Sequence, residues 1–299
     1  MSTQQKLNEA LGASYEAFER TLPRKNGKVM RAASRSRLTV ADVLAKYADS
    51  TGKIPKNKTT AVVAELSVIQ GSIYSDINAE LRSAISDSAE DAVVSTAGVI
   101  AAVIGVLAVI KFAGLSKAIA EFGPKVVAQV LFSALTGFSF LGFIKAVADS
   151  VFNRKADDGK QLNDRLHEVA KTLHDDVTET IRKSIQNSEG VPVIIRKVKQ
   201  KFREVNNRLN TIVETESLNA YRQALAWFAE KSGLVSALKI VDYPHGDPAE
   251  HRRHECYIYA HMDEYGLGEG IYPVSTRKIR HPHPRCRSTL HFILDEKLT

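Results

Sequence analysis

Two stretches of the chain, residues 92–110 and 126–144, contain no charged residue and are almost wholly apolar. Each is close to the ~20 residues that a helix needs to cross a bilayer. The connector between them carries Lys111, Lys117, Glu121 and a Gly123-Pro124 break, which makes a helical hairpin the natural geometry. A segment this apolar dictates what must surround it. Two readings are open. The hairpin is either the buried centre of a helical bundle, apolar all round because other helices cover it, or it inserts into a membrane. Small residues (Ala97, Gly98, Ala101, Ala102, Gly105, Gly137, Gly142) suit close helix contact in either medium.

The flanks supply helices able to cover it. Val62, Leu66, Ile69, Ile73, Ile77, Leu81 and Ile85 recur at three- and four-residue steps and so share one helical stripe. Leu166, Val169, Leu173, Val177, Ile181 and Ile185 form a second stripe. After Pro192, which suits a first helical turn, Val198, Phe202, Val205, Leu209 and Ile212 form a third. This last helix continues through Tyr221, Leu225 and Phe228 to a stop at Gly233. Beyond it the texture changes. Residues 237–243 read as a strand, 244–248 as a turn, Gly266, Gly268 and Gly270 as a loop, and 289–294 as a final strand. The expected fold is therefore mainly α, with long amphipathic helices around a hydrophobic helical hairpin and a small C-terminal α/β cap. Taken consecutively, the sections are a basic N-terminal segment and linker (1–58), a helical domain with the hairpin (59–158), and a third domain (161–299). The third comprises helices over 161–233 and the cap over 234–299.

The N-terminal section reads as short helices and linker, with Thr39 capping one helix three residues ahead of Asp42, and 51–58 as a connector holding Gly52 and Pro55. It also contains Arg20, Arg24, Lys25, Lys28, Arg31, Arg35 and Arg37 with no acidic residue among them. Such a run can neutralise DNA phosphates, or it can be a solvated loop. A second basic cluster (Arg196, Lys197, Lys199, Lys201, Arg203) reads first as a solvated helix face. The whole chain leans basic, with 41 Lys+Arg against 34 Asp+Glu.

Only two cysteines occur, Cys256 and Cys286, and both sit among histidines. The polar start, Met1 to Gln5, has no signal-peptide character, which predicts folding in a reducing cytosol where a lone disulfide is unexpected. Zinc takes four nitrogen or sulfur ligands in a tetrahedron. Cys256, His283 and Cys286 are candidates for three, with His254, His261 or His281 for the fourth. The alternative is a pair of buried thiols beside surface histidines. The chain holds neither GxxxxGK[ST] nor HExxH, and a Cys/His nucleophile pair would lack any visible oxyanion loop, so no enzymatic activity is expected.

The order of these features resembles the phage head morphogenesis domain of Mu F-like minor head proteins. The resemblance covers residues 161–299. It rests on Thr215-Glu216 and Asn219-Ala220 on the last long helix, Arg252-Arg253, Cys256, Asp263 and the closing run His283-Pro284-Arg285-Cys286-Arg287. Two positions depart from the pattern: Tyr259 stands where many members have a second Cys, and Ser288 replaces the last Cys. Any metal site must then recruit histidines. The resemblance implies a structural, low-copy component of the procapsid, bound to the portal protein and in contact with capsid or scaffold proteins and packaged double-stranded DNA. Its expected location is the virion, inside the head near the portal, after assembly in the host cytoplasm. Two alternatives assign the hairpin more: a DNA-ejection protein that enters the host membrane, or a pore-forming toxin carrying a phage-type packaging domain.

Overall fold

The computed structural model describes residues 2–107, 129, 132–133, 136–156, 158–243 and 248–295. It is mainly helical with a small antiparallel sheet near the C-terminus. The long helices are α1 (Thr3–Lys46), α2 (Thr59–Leu107), α3 (Phe140–Asn153), α4 (Leu162–Gln186) and α5 (Val191–Ser232). The cap holds strand β1 (Val235–Val241), short helices α6 (Pro248–His251) and α7 (Glu255–His261), and strands β2 (Ile271–Pro273) and β3 (Thr289–Leu294). The chain clusters into two compact units, each drawn from separated stretches. One takes residues 1–22, 85–151 and 215–299; the other takes 23–84 and 152–214. The sequence reading divided the chain consecutively instead.

In the unit of 23–84 and 152–214, the stripes expected from the periodicity face inward. Val40, Leu66, Ile69, Ile73, Leu173, Val177 and Phe202 converge in its centre. Each such side chain contributes ~1.5–3 kcal/mol by leaving water. Helix α4 starts with a reciprocal cap, in which Asp164 Oδ2 accepts from the Gln161 amide at 3.0 Å and the Gln161 side chain accepts from the Asp164 amide. Ser188, at φ 57°, ends it, and the chain re-enters a helix at Val191 with Pro192 in the first turn.

The N-terminal section corrects an expectation. Residues 3–46 form one helix, not short helices and a linker. The buried face runs on past the gaps in the apolar pattern because Lys25 and Ser36, 2% and 4% exposed, occupy two of its inward positions. Pro23 is tolerated within it on the exposed side. Thr39 is interior to the helix, its Oγ1 donating to Arg35 O at 3.4 Å, and caps nothing. By contrast, the 51–58 connector is as expected, closing with a 3-10 turn at Lys56–Lys58.

The other unit holds the described part of the hydrophobic hairpin. Helix α2 carries the first apolar run as far as Leu107, and Ala92, Val93, Thr96 and Ala97 are fully buried. Residues 108–128, including the Gly123-Pro124 break, lie outside the described residues, as do several of 129–135. From the second run, Phe132 meets Phe140 at 5.7 Å, Phe143 at 4.7 Å and Phe228 at 5.9 Å between ring centroids. Among the described residues no helix is long and apolar enough to cross a membrane.

The sheet has the order β2-β1-β3, with β1 antiparallel to both neighbours. The alternation expected of a half-buried strand is clear in β3, where Leu290, Phe292 and Leu294 point inward. Phe292 stacks on Phe228 of α5 at 6.2 Å. The free edge of β3 is occupied by Gln4 of α1, whose Oε1 accepts from the Leu294 amide at 2.9 Å and whose Nε2 donates to Phe292 O. On α5, Tyr221 stacks with Phe18 at 4.2 Å and meets Tyr15 edge-on at 5.6 Å. These contacts fix α5 as the floor on which the closing segment lies.

Candidate metal centre

The floor of the site is a polar stripe inside an apolar helix. Glu216, Asn219 and Arg222 recur on α5 at three-residue steps, with Thr215 one turn before Asn219 on the same side, and all are buried. Asn219 joins the stripe, donating to Glu216 Oε2 at 3.1 Å and accepting from Arg222 Nη2 at 3.0 Å. The Arg222 guanidinium, 1% exposed, then donates to three carbonyls of the closing segment: Arg280 O at 3.0 Å, Cys286 O at 2.7 Å and Ser288 O at 3.2 Å. A planar fork suits this, since it meets several acceptors at fixed angles. Thr215 Oγ1 accepts from the Arg285 amide at 3.2 Å. Arg285 sits at φ 54°, so the chain turns sharply just before Cys286. Beyond the turn, Arg287 pairs with Glu19 at 3.4 Å.

The turn aims Cys286 at a second element. Cys256 lies in the first turn of α7, behind the N-cap residue His254. His283 bridges the two. Its Nε2 is 3.0 Å from Cys256 Sγ, and its Nδ1 is 2.9 Å from Pro284 O, to which it donates. The hydrogen bond to the carbonyl fixes the tautomer, leaving Nε2 directed at the sulfur. The donor atoms of Cys256, His283 and Cys286 all lie within 4.8 Å of one another. Those of His251, His254 and Cys256 do so as well. Cys256 thus belongs to both triplets. Both cysteines are free and almost fully buried, at 1% and 0% exposure.

The electrostatics suit a cation. Burial opposes ionising Cys286, yet the hydrogen bond from Cys256 and the charges of Arg222 and His283 hold its thiol down to about 3. The same hydrogen bond, then burial, pushes the Cys256 thiol up. The two sulfurs are thus pushed in opposite directions, Cys286 toward the thiolate and Cys256 toward the thiol. Burial works against protonating His283, but its contact with Cys286 raises it overall. Thiolate sulfur and neutral imidazole are the donors that zinc and similar soft or borderline ions prefer.

The geometry sorts the expected site residues. Cys256, His283 and Cys286 come together as one triplet of donors, while His254 shares a second triplet with Cys256 and His251, its ring 4.7 Å from that of His283. His261 does not join them: its Nδ1 lies 2.9 Å from Tyr257 O and its ring stacks on Tyr257 at 4.1 Å. His281 is also outside both triplets of donors. Asp263 is a structural residue, accepting from the Gly268 amide at 3.1 Å to close the glycine loop. Tyr259 lies under the Lys278 ammonium at 5.1 Å and its carbonyl accepts from Tyr272. Ser288 Oγ is 2.9 Å from Cys286 Sγ, so it contacts the site through a sulfur.

Sequence reasoning missed three contributors. Arg222 was legible only as a charge in an apolar stretch, seven residues past Thr215. His251 was legible as a histidine three residues before His254. Asp242, nine residues from His251, carried no sequence signal, and the structure bonds the two at 3.1 Å.

The basic run on α1 is only partly a surface. Lys25 is 2% exposed, so it cannot reach a phosphate, contrary to expectation. Arg24, Lys28, Arg31 and Arg35 share a helical face at three- and four-residue steps, with Arg35 3.7 Å from Glu80. Arg37 falls off that face. Arg20, in the other compact unit, pairs with Glu16 at 3.5 Å.

Compared with known protein families, curated proteins and solved structures, the chain matches none of them.

Proposed function

We propose that this chain is a phage minor head protein whose C-terminal cap is stapled by zinc and docks on the portal. The observation that carries the reading is the convergence of the residues behind the resemblance. Thr215 and Glu216 on α5 lie some seventy positions before the His283–Arg287 run, yet Thr215 binds the Arg285 amide and Arg222 binds the Cys286 carbonyl. A chance likeness of two short motifs would not require them to form one buried network. Three ligands, Cys256, His283 and Cys286, would hold the ion, with a histidine of the 251–254 segment as the fourth. Zinc there would cross-link α7 to the closing turn in a cap with three short strands among the described residues. Structural zinc contributes to folding directly in such small domains. The Arg24, Lys28, Arg31 and Arg35 face would meet packaged DNA.

The role needs no catalysis, and the buried thiols favour a structural one. The test is co-purification of the full chain with the portal protein of its own phage, in the presence of zinc. Stable capture, abolished by Cys256→Ser with Cys286→Ser, is expected. Absence of capture at micromolar concentrations of both proteins refutes the assignment.

A further inference from the structure

Two histidines bring a donor atom within 4.8 Å of Cys256, in a triplet that meets the Cys256–His283–Cys286 triplet only at that sulfur, and their surroundings differ. His254 is the N-cap residue of α7, half-buried, with its ring 4.7 Å from that of His283. His251 closes α6 and is 4% exposed, close to the burial of Cys256 and Cys286. Its Nε2 lies 3.1 Å from Asp242 Oδ2, just past the end of β1. The His254 and Tyr257 rings flank it edge-on at 5.7 and 5.6 Å. The ring is therefore held from three sides.

Zinc-ligating histidines almost always hand their second ring N–H to a carboxylate or a backbone carbonyl, which sets the tautomer and increases basicity. His283 meets that condition through Pro284 O, and His251 meets it through Asp242. We propose that His251, oriented by Asp242, is the fourth ligand beside Cys256, His283 and Cys286, with His254 forming the adjoining wall. The carboxylate holds Nε2 protonated, so Nδ1 is the ligating atom. A two-thiolate, two-imidazole set neutralises a divalent ion, and Asp242 adds the outer negative charge that strengthens the imidazole as a donor. With no second cysteine on α7, the ligand comes from the segment before the helix, and β1 supplies its support. The inference rests on the metal-stapled reading above.

The test uses the full chain, with zinc alone as ligand and a chromophoric chelator as competitor, and cobalt(II) as the spectroscopic probe. Asp242→Asn, which preserves shape, is expected to weaken zinc about 10–100-fold. His251→Ala is expected to weaken it more, and His254→Ala by less than about threefold, the scatter of a lost neighbour rather than a lost ligand. His251→Cys serves as the rescue, restoring tight binding and adding thiolate-to-cobalt charge-transfer intensity. His254→Cys should add none. A larger loss in His254→Ala than in His251→Ala, or a silent Asp242→Asn, overturns the assignment while leaving the metal centre standing. Failure of the unmodified chain to bind either metal overturns the metal centre itself.

Discussion

Replacing Arg222 by Ala removes one side chain and strips the donor from three carbonyls of the closing segment. The guanidinium supplies the hydrogen bonds at Arg280 O, Cys286 O and Ser288 O and the one at Asn219 Oδ1. A buried acceptor left without its donor costs ~1–3 kcal/mol, which over three carbonyls brackets the loss at about 3–9 kcal/mol. Relief from burying a charge, together with water entering the space, pulls the value toward the lower end, about 4 kcal/mol. Arg222→Lys keeps the charge but not the fork, and is expected to lose about half as much. The protein has one tryptophan, Trp227, one turn further along α5 in the same compact unit. Its fluorescence in a urea titration reports the unit directly. The same variant should weaken zinc binding, because the Cys286 backbone loses its anchor. An Arg222→Ala midpoint corresponding to a change under ~0.5 kcal/mol would refute the claim that this residue docks the closing segment.

Three further outcomes follow from the same geometry. His291 lies opposite Lys239 across β1 and β3, and burial first, then that ammonium, lowers its proton affinity. The unfolded chain therefore takes up the proton first, so its contribution to stability is complete above ~6.5 and falls as pH drops below that value; His291→Gln should flatten urea midpoints measured between pH 7 and pH 5. Gly270 holds φ 71°, and a Cβ there would lie 2.7 Å from Ala260 O, so Gly270→Ala should cost about 3 kcal/mol in the same titration. Replacing Arg24, Lys28, Arg31 and Arg35 together by Gln should reduce the slope of log K against log salt for duplex DNA by up to about 3.5, while Lys25→Met leaves it unchanged; equal slopes would remove α1 from any DNA contact.

Much of the architecture was readable from periodicity. Helix α4 and strand β3 follow their stripes closely, because the inward stripe is carried by apolar side chains, with Thr178 and Ser184 the polar residues buried beside it on α4. Helix α1 was not readable as one element, since Lys25 and Ser36 fill inward positions that a hydrophobicity pattern reads as gaps. Strand β2 spans only Ile271–Pro273, too short to show alternation. At the site, Cys256, His283 and Cys286 stood out by residue type and spacing. Arg222 and the Asp242–His251 pair did not, because their roles are set by carbonyls and rings brought close only once the cap has folded back on α5. Cysteine and histidine announce their chemistry in sequence, whereas a buried arginine acquires its role from the acceptors around it.

Whether the cap holds a metal is what the site, its ligand assignment and the zinc-stapled form of the proposed function share. Elemental analysis of the purified full chain by mass spectrometry, before and after dialysis against a strong chelator, addresses it directly. Close to one equivalent of zinc per chain is expected, with its removal lowering the urea midpoint reported by Trp227. A folded chain that carries no zinc, takes none up on addition, and has the same midpoint with Cys256→Ser and Cys286→Ser would contradict it.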